Sequence, residues 1–250
     1  MSLEGFDNIW VVKPSFAARG VGIRVEASLA RISSHADSTR VVQKYLEAPL
    51  LAAGRKFDCR VWLLVTSWRP LTLWFWHGCL VRRAGVPYSL APAELRNPAV
   101  HVTNRTLGAH LSEAHGLPVD AWAERVLPSF AAVCVAALQR APEAADDSRA
   151  RPASPIACCE VFGADLMLDA QLRPWLLELN ESPNLAHHSS ALKAALMAEL
   201  ADDLLKVVAD PKFHPAAAGA RADAGASVSG PVGTRIGRFE KVHDSPVQYC

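Results

Sequence analysis

The sequence predicts an α+β domain whose sheets are mixed or antiparallel and are flanked by helices. Two pairs of β-rich runs, each joined by a short turn, are typical of hairpins: residues 57–66 with 71–76, and 156–168 with 174–179. Residues 119–140 have helical spacing. The 250 residues are half apolar and one fifth charged, with a formal net charge of +1. This composition is typical of a globular protein and excludes the collagen, coiled-coil and disordered classes.

The first part of the chain alternates short strands with loops. Residues 9–13 are mostly apolar and predict a strand that ends at a proline. A small-residue loop over 15–23 leads to a short helix over 26–38, and residues 40–46 predict another strand. Proline and glycine over 84–100 predict a loop.

The second half is predicted to be richer in helix. Pro128 is expected to kink the 119–140 segment or to begin a new helix, because proline removes a backbone donor. Residues 141–154 predict a surface loop. Ser190 then caps a helix with one apolar stripe, which we interpret as ordinary core packing. The stripe consists of Leu192, Leu196, Leu200, Leu204 and Val208.

The composition changes after about residue 210. Residues 211–232 are rich in alanine, glycine and proline, so we predict one domain over 1–210 and a largely disordered tail over 211–250, with some order resuming at Gly237. No run of about 18 apolar residues predicts a membrane span, and residues 1–6 lack the pattern of a secretory signal. Neither a membrane partner nor a secreted location is expected.

Basic residues are concentrated over residues 51–110. Eight Lys or Arg side chains face only Asp58 and Glu94 there, which leaves a local charge of +6. Such a field attracts anions: a nucleotide, a nucleic acid or an acidic peptide. Nucleic acid is disfavoured, because the pI is only about 7.7 and no binding module is recognisable. The basic residues are Arg55, Lys56, Arg60, Arg69, Arg82, Arg83, Arg96 and Arg105.

Two segments in the first fifty residues fit a nucleotide. Lys13 ends a strand and precedes a loop that contains Arg19, Gly20 and Gly22. Glycines let backbone N–H groups approach phosphates, and the cations neutralise them. Residues 43–46 offer a backbone edge for adenine. Neither segment alone is specific, since the loop matches neither the P-loop nor the dinucleotide-binding spacing.

Three oxygen-bearing residues in the second hairpin fit a divalent cation. Glu178 and Asn180 point to the same side of a strand, because residues i and i+2 share a face, and Asp165 lies on the neighbouring strand. Two carboxylates and an amide oxygen suit Mg²⁺ that bridges nucleotide phosphates. Acidic residues near a turn are usually just solvated, but the apolar flanks here argue against that interpretation.

Seven motifs in this order resemble the tubulin tyrosine ligase-like family. The resemblance covers about residues 8 to 209. It implies the ATP-grasp fold, with the C-terminal and part of the central subdomain present and the N-terminal subdomain missing. It also implies ATP, Mg²⁺ or Mn²⁺ as cofactors, and ligation of a free amino acid to a tubulin carboxylate through an acyl phosphate. The motifs are IWVVKP (9–14), RGVGI (19–23), QKYL (43–46), RKFDCR (55–60), HVTN (101–104), FGAD (162–165) and PWLLELNESP (174–183).

The resemblance also implies roles for individual residues. Arg60 and Arg82 would hold a substrate carboxylate or the transferred phosphate, and a guanidinium can do so through two hydrogen bonds at once. The metal would be bound by Asp165, Glu178 and Asn180. The nucleotide would be bound by Lys13, Arg19, Gly20, Gly22, Ile23, Gln43, Lys44, Tyr45, Leu46, Lys56, Asp58, Thr103 and Asn104.

The resemblance favours glycine as the added amino acid. The aromatic hairpin over 64–76 is similar to the glycine-adding branch, and the run after Asn104 lacks a Gln-Lys pair that is frequent in relatives. The implied partner is the acidic tail of tubulin or microtubules, with a cytoplasmic, cytoskeletal location that includes the cilium or flagellum. Three alternatives stay open: a glutamate ligase, an inactive module that binds acidic peptides or microtubules, and a ligase for small carboxylates and amines.

Overall fold

The structure is a computed structural model that describes eight stretches of the chain: residues 8–15, 20–35, 39–68, 71–103, 119–144, 159–185, 191–209 and 231–244. Strands and helices alternate along these stretches, which confirms the predicted α+β class. The strands are β1 (Trp10–Pro14), β2 (Arg24–Glu26), β3 (Arg40–Lys44), β4 (Leu51–Ala52), β5 (Arg55–Trp68), β6 (Leu71–Arg83), β7 (Glu160–Leu168), β8 (Pro174–Glu181), β9 (Arg235–Ile236) and β10 (Phe239–Asp244). The helices are α1 (Leu29–His35), α2 (Pro98–His101), α3 (Val119–Ala121), α4 (Leu127–Ala144) and α5 (Ala191–Ala209).

The first three strands form a small antiparallel sheet in the order β2–β1–β3. Val12 lies opposite Arg24 on one side and Val42 on the other. Val12 is fully buried, because the side chain of a central strand is covered on the side that packs against the rest of the fold. This sheet carries Lys13 and the segment that begins at Gln43.

The remaining strands form a seven-stranded sheet in the order β8–β7–β5–β6–β10–β9, with β4 paired to β5. The two predicted hairpins are confirmed as β5–β6 and β7–β8. β5 and β6 are longer than the sequence predicts, with 14 and 13 residues, and nearly all of their side chains are buried. Continuous apolar runs are typical of strands that are covered on both faces.

The chain divides into two compact units. Unit 1 takes its residues from Met1–Cys59, Val81–Pro118 and Met167–Arg173. Unit 2 takes its residues from Arg60–Leu80, Val119–Leu166 and Pro174–Cys250.

Pro128 follows a change in helix type, as the sequence predicts. The segment Trp122–Val126 is a π-helix between α3 and α4, and the Leu127 N–H donates to the Trp122 carbonyl, five residues back. Proline lacks the N–H that an α-helix needs and clashes with the carbonyl four residues before it. A wider turn just before Pro128 removes that conflict while the chain continues as a helix.

The buried face of α5 differs from the predicted stripe. Met197, Leu200 and Val207 are buried, whereas Leu204 is only half-buried. Asp203 lies on the same buried face. A count of apolar residues cannot find this face, because Asp203 is polar and is tolerated there only through its hydrogen bonds. The predicted cap Ser190 lies outside the described residues, and the Leu192 side chain is not described either.

Within the predicted tail, order resumes near Gly237, as expected from the sequence. Residues 235–244 form the β9–β10 hairpin, and β10 pairs with β6 at Phe239↔Trp76. The β6 edge supplies unpaired backbone groups that this strand satisfies, so a segment of modest hydrophobicity is ordered by pairing. Residues 210–230 and 245–250 lie outside the described residues. Among the helices described, none is long and apolar enough to cross a membrane.

Candidate functional site

The predicted phosphate segment lies in unit 1, where β1 turns toward β2. Gly20 and Gly22 have φ angles of +72° and +77°. A Cβ at Gly22 would also lie only 2.9 Å from Pro14 Cγ, so glycine is required there for both reasons. The loop returns at Ile23, and Lys13 lies on β1. Arg19 lies outside the described residues.

The predicted adenine segment follows the end of β3. The Tyr45 N–H donates to the Ile9 carbonyl at 3.1 Å, and Lys44 Nζ donates to the same carbonyl at 3.0 Å. Lys44 also pairs with Glu47, whose buried Oε1 accepts the Ile9 N–H at 2.7 Å. Glu47 therefore fixes the start of β1 to the segment over 43–46. The sequence analysis did not single out Glu47.

Lys56 begins a chain of hydrogen bonds through the interior of unit 1. Its Nζ donates to Tyr45 Oη at 3.0 Å and to the His101 carbonyl at 3.1 Å. Tyr45 Oη lies 2.8 Å from His101 Nδ1, and His101 Nε2 lies 3.1 Å from the Glu94 carbonyl. Because a carbonyl only accepts, Nε2 carries the proton and Nδ1 accepts from Tyr45.

Burial shifts the pKa values of the side chains in this hydrogen-bonded series. Burial lowers the pKa of Lys56 to about 8, against a smaller opposing effect of Asp58. Burial, followed by the nearby charge of Lys56, lowers the pKa of His101 to about 4, so its ring is neutral near pH 7. The pKa of Tyr45 is raised, first by burial and then by Tyr88. An anion bound beside Lys56 would favour its charged form.

Asp58, Arg82 and Thr103 form a second buried cluster in unit 1. Arg82 Nε and Nη2 donate to the two Asp58 carboxylate oxygens at 2.7 and 2.8 Å. Thr103 Oγ1 donates to Asp58 Oδ2 at 2.7 Å. The structure thus brings together three residues that were predicted from separate motifs. Asn104, the next predicted residue, lies outside the described residues.

A cavity of about 240 Å³ opens in unit 1. Ile23 and Val25 line it at the start of β2, and His101 and Val102 line it at the end of α2. Of the residues predicted to bind the nucleotide, the cavity thus includes Ile23, and it reaches the hydrogen-bond chain of Lys56 at His101. Charged side chains of Arg24, Glu26 and Arg96 also line it, so the cavity is suited to a polar ligand.

Unit 2 carries Arg60 and the predicted metal residues. Arg60 Nη2 donates to Asp165 Oδ2 at 3.0 Å, and Arg60 Nε donates to Asp165 Oδ1. Asn180 Nδ2 donates to Glu178 Oε1 and to the Gly163 carbonyl, each at 3.3 Å. The strand geometry therefore places Glu178 and Asn180 together as predicted, and each of these polar groups has a partner within β7, β8 or β5.

Comparison with known proteins places the chain in a family. A model of the tubulin-tyrosine ligase family matches residues 2–217. The chain belongs to the tubulin-tyrosine ligase family. This confirms the resemblance found in the motifs, and the α+β architecture with antiparallel sheets is that of an ATP-grasp-like ligase domain.

Several proteins with similar sequences are named as tubulin glycylases. The chain is 36% identical over 244 residues to tubulin monoglycylase TTLL3 of Mus musculus, which covers 85% of this chain and 25% of that protein. It is 36% identical over 242 residues to the Homo sapiens protein of the same name, covering 84% and 30%. It is 34% identical over 236 residues to tubulin glycylase 3D of Tetrahymena thermophila, covering 84% and 22%. The chain spans at most about a third of the length of these relatives.

The residues predicted to bind a metal carry side chains that are chemically suited to a hard cation. Asp165, Glu178 and Asn180 offer oxygen donors only, which suits Mg²⁺ or Mn²⁺. Within the described part of the chain, no group of three or more His, Cys, Asp or Glu side chains is arranged for a metal. The predicted set therefore depends on the Asn180 amide as its third donor.

The local charge of +6 is smaller in the folded chain than in the sequence. Arg60 is neutralised by Asp165, and Arg96 lies 3.3 Å from Glu26, and both acids come from outside residues 51–110. Lys56 is buried and does not contribute to a surface field. A count along the sequence misses such pairs because it does not see long-range contacts. Arg69 and Arg105 lie outside the described residues.

Proposed function

We propose that this chain is an ATP-dependent ligase that joins glycine to a glutamate carboxylate of a tubulin tail. The observation that carries the proposal is the cluster in unit 2, where Arg60 pairs with Asp165 and Asn180 contacts Glu178. It combines oxygen donors for a cation with a guanidinium for an anion. A ligase of this kind needs both, because phosphorylating a carboxylate brings two anionic groups together. The names of the glycylase relatives support tubulin as the acceptor.

Unit 1 would hold the nucleotide. Lys13 and the glycine loop supply a cation and backbone donors for phosphates, and the segment over 43–46 supplies a backbone edge for the base. Lys56 is buried, and its Nζ is bound to neutral oxygen atoms of Tyr45 and His101. A phosphate oxygen near Lys56 would add an anionic partner beside those two neutral oxygen atoms.

Asp165, Glu178 and Asn180 would bind the cation. When bound, Mg²⁺ would neutralise charge on the transferring phosphoryl group. Arg60 would orient the acceptor carboxylate, because its fork geometry matches two carboxylate oxygens. These side chains are held by strands rather than loops, so the reacting groups are positioned with little loss of entropy at the moment of reaction.

The proposed chemistry has two steps. An acceptor carboxylate oxygen attacks the γ-phosphorus of ATP, and ADP leaves with the bridging oxygen. The glycine amine then attacks the carbonyl carbon of the acyl phosphate, inorganic phosphate leaves, and the nitrogen loses a proton. Glycine has no side chain to accommodate, whereas glutamate would need a further cation for its second carboxylate.

Incorporation of labelled amino acids into tubulin tests the proposal. With the 250-residue chain, ATP, Mg²⁺ and tubulin, we expect labelled glycine in the tubulin tails and little labelled glutamate. Glu178→Gln should abolish incorporation, whereas the matched change Glu181→Gln, on the opposite side of the same strand, should preserve it. Incorporation of glutamate without glycine would favour the glutamate ligase instead.

Thermal unfolding provides a separate test of nucleotide binding. ATP should raise the melting temperature only when Mg²⁺ or Mn²⁺ is present, because a ligand stabilises the state that binds it. Equal stabilisation by ATP in excess chelator would contradict the metal assignment. If ATP and metal bind but neither amino acid is incorporated, the chain is better described as a module that binds acidic peptides.

A further inference from the structure

Arg60 and Asp165 form an ion pair with each other in the ligand-free protein. Both guanidinium contacts go to the two oxygens of one carboxylate, and the two side chains are only 15% and 8% exposed. The proposed function assigns Arg60 to a substrate anion and Asp165 to a cation. The pair conflicts with both assignments, because it places a positive charge beside the carboxylate that would bind the cation and directs the Arg60 donors to Asp165 instead of a substrate anion.

Gly163 makes the pair possible. A Cβ at position 163 would lie 3.2 Å from both Cδ and Nη1 of Arg60 and 2.9 Å from Pro183 Cβ. These distances are shorter than ordinary van der Waals contacts, so a side chain there would force Pro183 to shift and would push Arg60 away by a few tenths of an ångström. Gly163 lies on β7, two residues before Asp165 and on the same face. Because Gly163 has no side chain, the Arg60 side chain can lie over it and reach Asp165.

We propose that Arg60 is an exchangeable counter-ion, which neutralises Asp165 in the metal-free protein and moves to the substrate anion when a divalent cation occupies Asp165. Gly163 is the positioning residue that keeps Arg60 over Asp165. This inference rests on the proposed function, since it takes Asp165 as a metal ligand. It implies an order of binding: Arg60 becomes available to bind the acceptor carboxylate only after the cation is bound to Asp165.

The exchange has a consequence that a purely structural ion pair does not have. Arg60 competes with the cation for the same carboxylate, so removing Arg60 strengthens metal binding while it weakens binding of the acidic acceptor. A positive charge in direct contact with a carboxylate opposes the binding of a second cation to that carboxylate, so the gain in metal affinity is at least about tenfold. A structural pair would only lose stability when broken.

Mn²⁺ affinity, measured by the spin-resonance signal of the free ion with and without ADP, tests the exchange. Arg60→Gln should bind Mn²⁺ at least about tenfold more tightly than the wild-type chain. Arg60→Lys, which keeps the charge but makes no bidentate contact, should lie between them. Gly163→Ala should also bind more tightly, because its methyl group displaces Arg60, and it provides a second route if Arg60→Gln does not fold.

Lys241→Gln is the matched control. It breaks a buried ion pair with Asp244 at the end of β10, in the same unit, and should leave Mn²⁺ affinity unchanged. A second measurement uses a glutamate-rich peptide, whose affinity for the wild-type chain should rise when Mn²⁺ and ADP are added. Arg60→Gln should lose that dependence on the metal.

The outcomes separate the two proposals. If the wild-type chain binds Mn²⁺ and neither Arg60→Gln nor Gly163→Ala binds it more tightly, the exchange is wrong and the proposed function stands. If the wild-type chain and all variants fail to bind Mn²⁺, the metal site of the proposed function fails, and the exchange fails with it. Tighter Mn²⁺ binding by Lys241→Gln as well would overturn the exchange, because general loosening of the fold, not competition for Asp165, would then raise the affinity.

Discussion

Asp203 joins the C-terminal hairpin to the rest of unit 2, and its removal should destabilise the protein strongly. One carboxylate oxygen accepts the Trp76 indole N–H at 3.0 Å and the Arg238 backbone N–H at 2.9 Å. Gly237, with φ +57°, brings the hairpin so close that a Cβ there would lie 1.8 Å from Asp203 Oδ1. The loss of Asp203 therefore affects β6, α5 and the hairpin together.

The magnitude follows from the two donors. In Asp203→Ala the buried Trp76 indole loses its acceptor, and the Arg238 N–H loses its own. An unsatisfied buried donor costs about 1–3 kcal/mol, and water can reach the partly exposed Arg238 N–H, so we expect a total of about 2–4 kcal/mol. For a chain of this length that corresponds to a fall of roughly 4–16 °C in melting temperature.

Urea and thermal unfolding, followed by tryptophan fluorescence, provide the assay. Asp202→Ala is the matched control, because Asp202 is 67% exposed and pairs with Lys206 on the surface, where ion pairs contribute little to stability. Gly237→Ala should destabilise through the same contact, since it combines a left-handed φ with a steric overlap. If Asp203→Ala costs no more than Asp202→Ala, the hairpin does not anchor on α5 and the account of the C-terminal segment is wrong.

Three further predictions concern ionisable groups. Burial lowers the pKa of Lys56 to about 8, so nucleotide affinity measured by calorimetry should fall as the pH rises through about 8, whereas Lys56→Met should be weak at every pH. Glu47→Gln removes the charge that pairs with Lys44 and should cost about 1–3 kcal/mol and weaken nucleotide binding; unchanged affinity would show that Glu47 does not position the segment over 43–46. Burial alone would raise the pKa of Asp203, but hydrogen bonds from Arg238, Trp76 and Lys206 lower it below its usual value. Its contribution to stability should therefore be complete above the unfolded-state pKa and disappear as the pH falls through the lower folded-state pKa, which acid unfolding of Asp203→Ala beside the wild-type chain can measure.

Several site residues could be predicted because their signals are local. Glu178 and Asn180 share a face because residues i and i+2 of a strand point to the same side. Glycines at positions 20 and 22 indicate a loop that bends back on itself. Gly163 also had a local signal, since an isolated glycine in a strand marks a close approach of another group. Glu47 had none, because its partner Ile9 lies 38 residues away along the chain.

The sequence by itself determined the fold class, the two hairpins, the family and the chemical types gathered at the candidate site. These follow from periodicity and from motif order, which are properties of neighbouring residues. Only the tertiary structure decided which charges neutralise each other, where the buried face of α5 lies, and that the segment around Gly237 pairs with β6. Arg60 and Asp165 are 105 residues apart, and Trp76 and Asp203 are 127 apart. Pairs at such separations form because burial makes an unpartnered charge or donor costly, and that cost exists only once the strands and helices have packed.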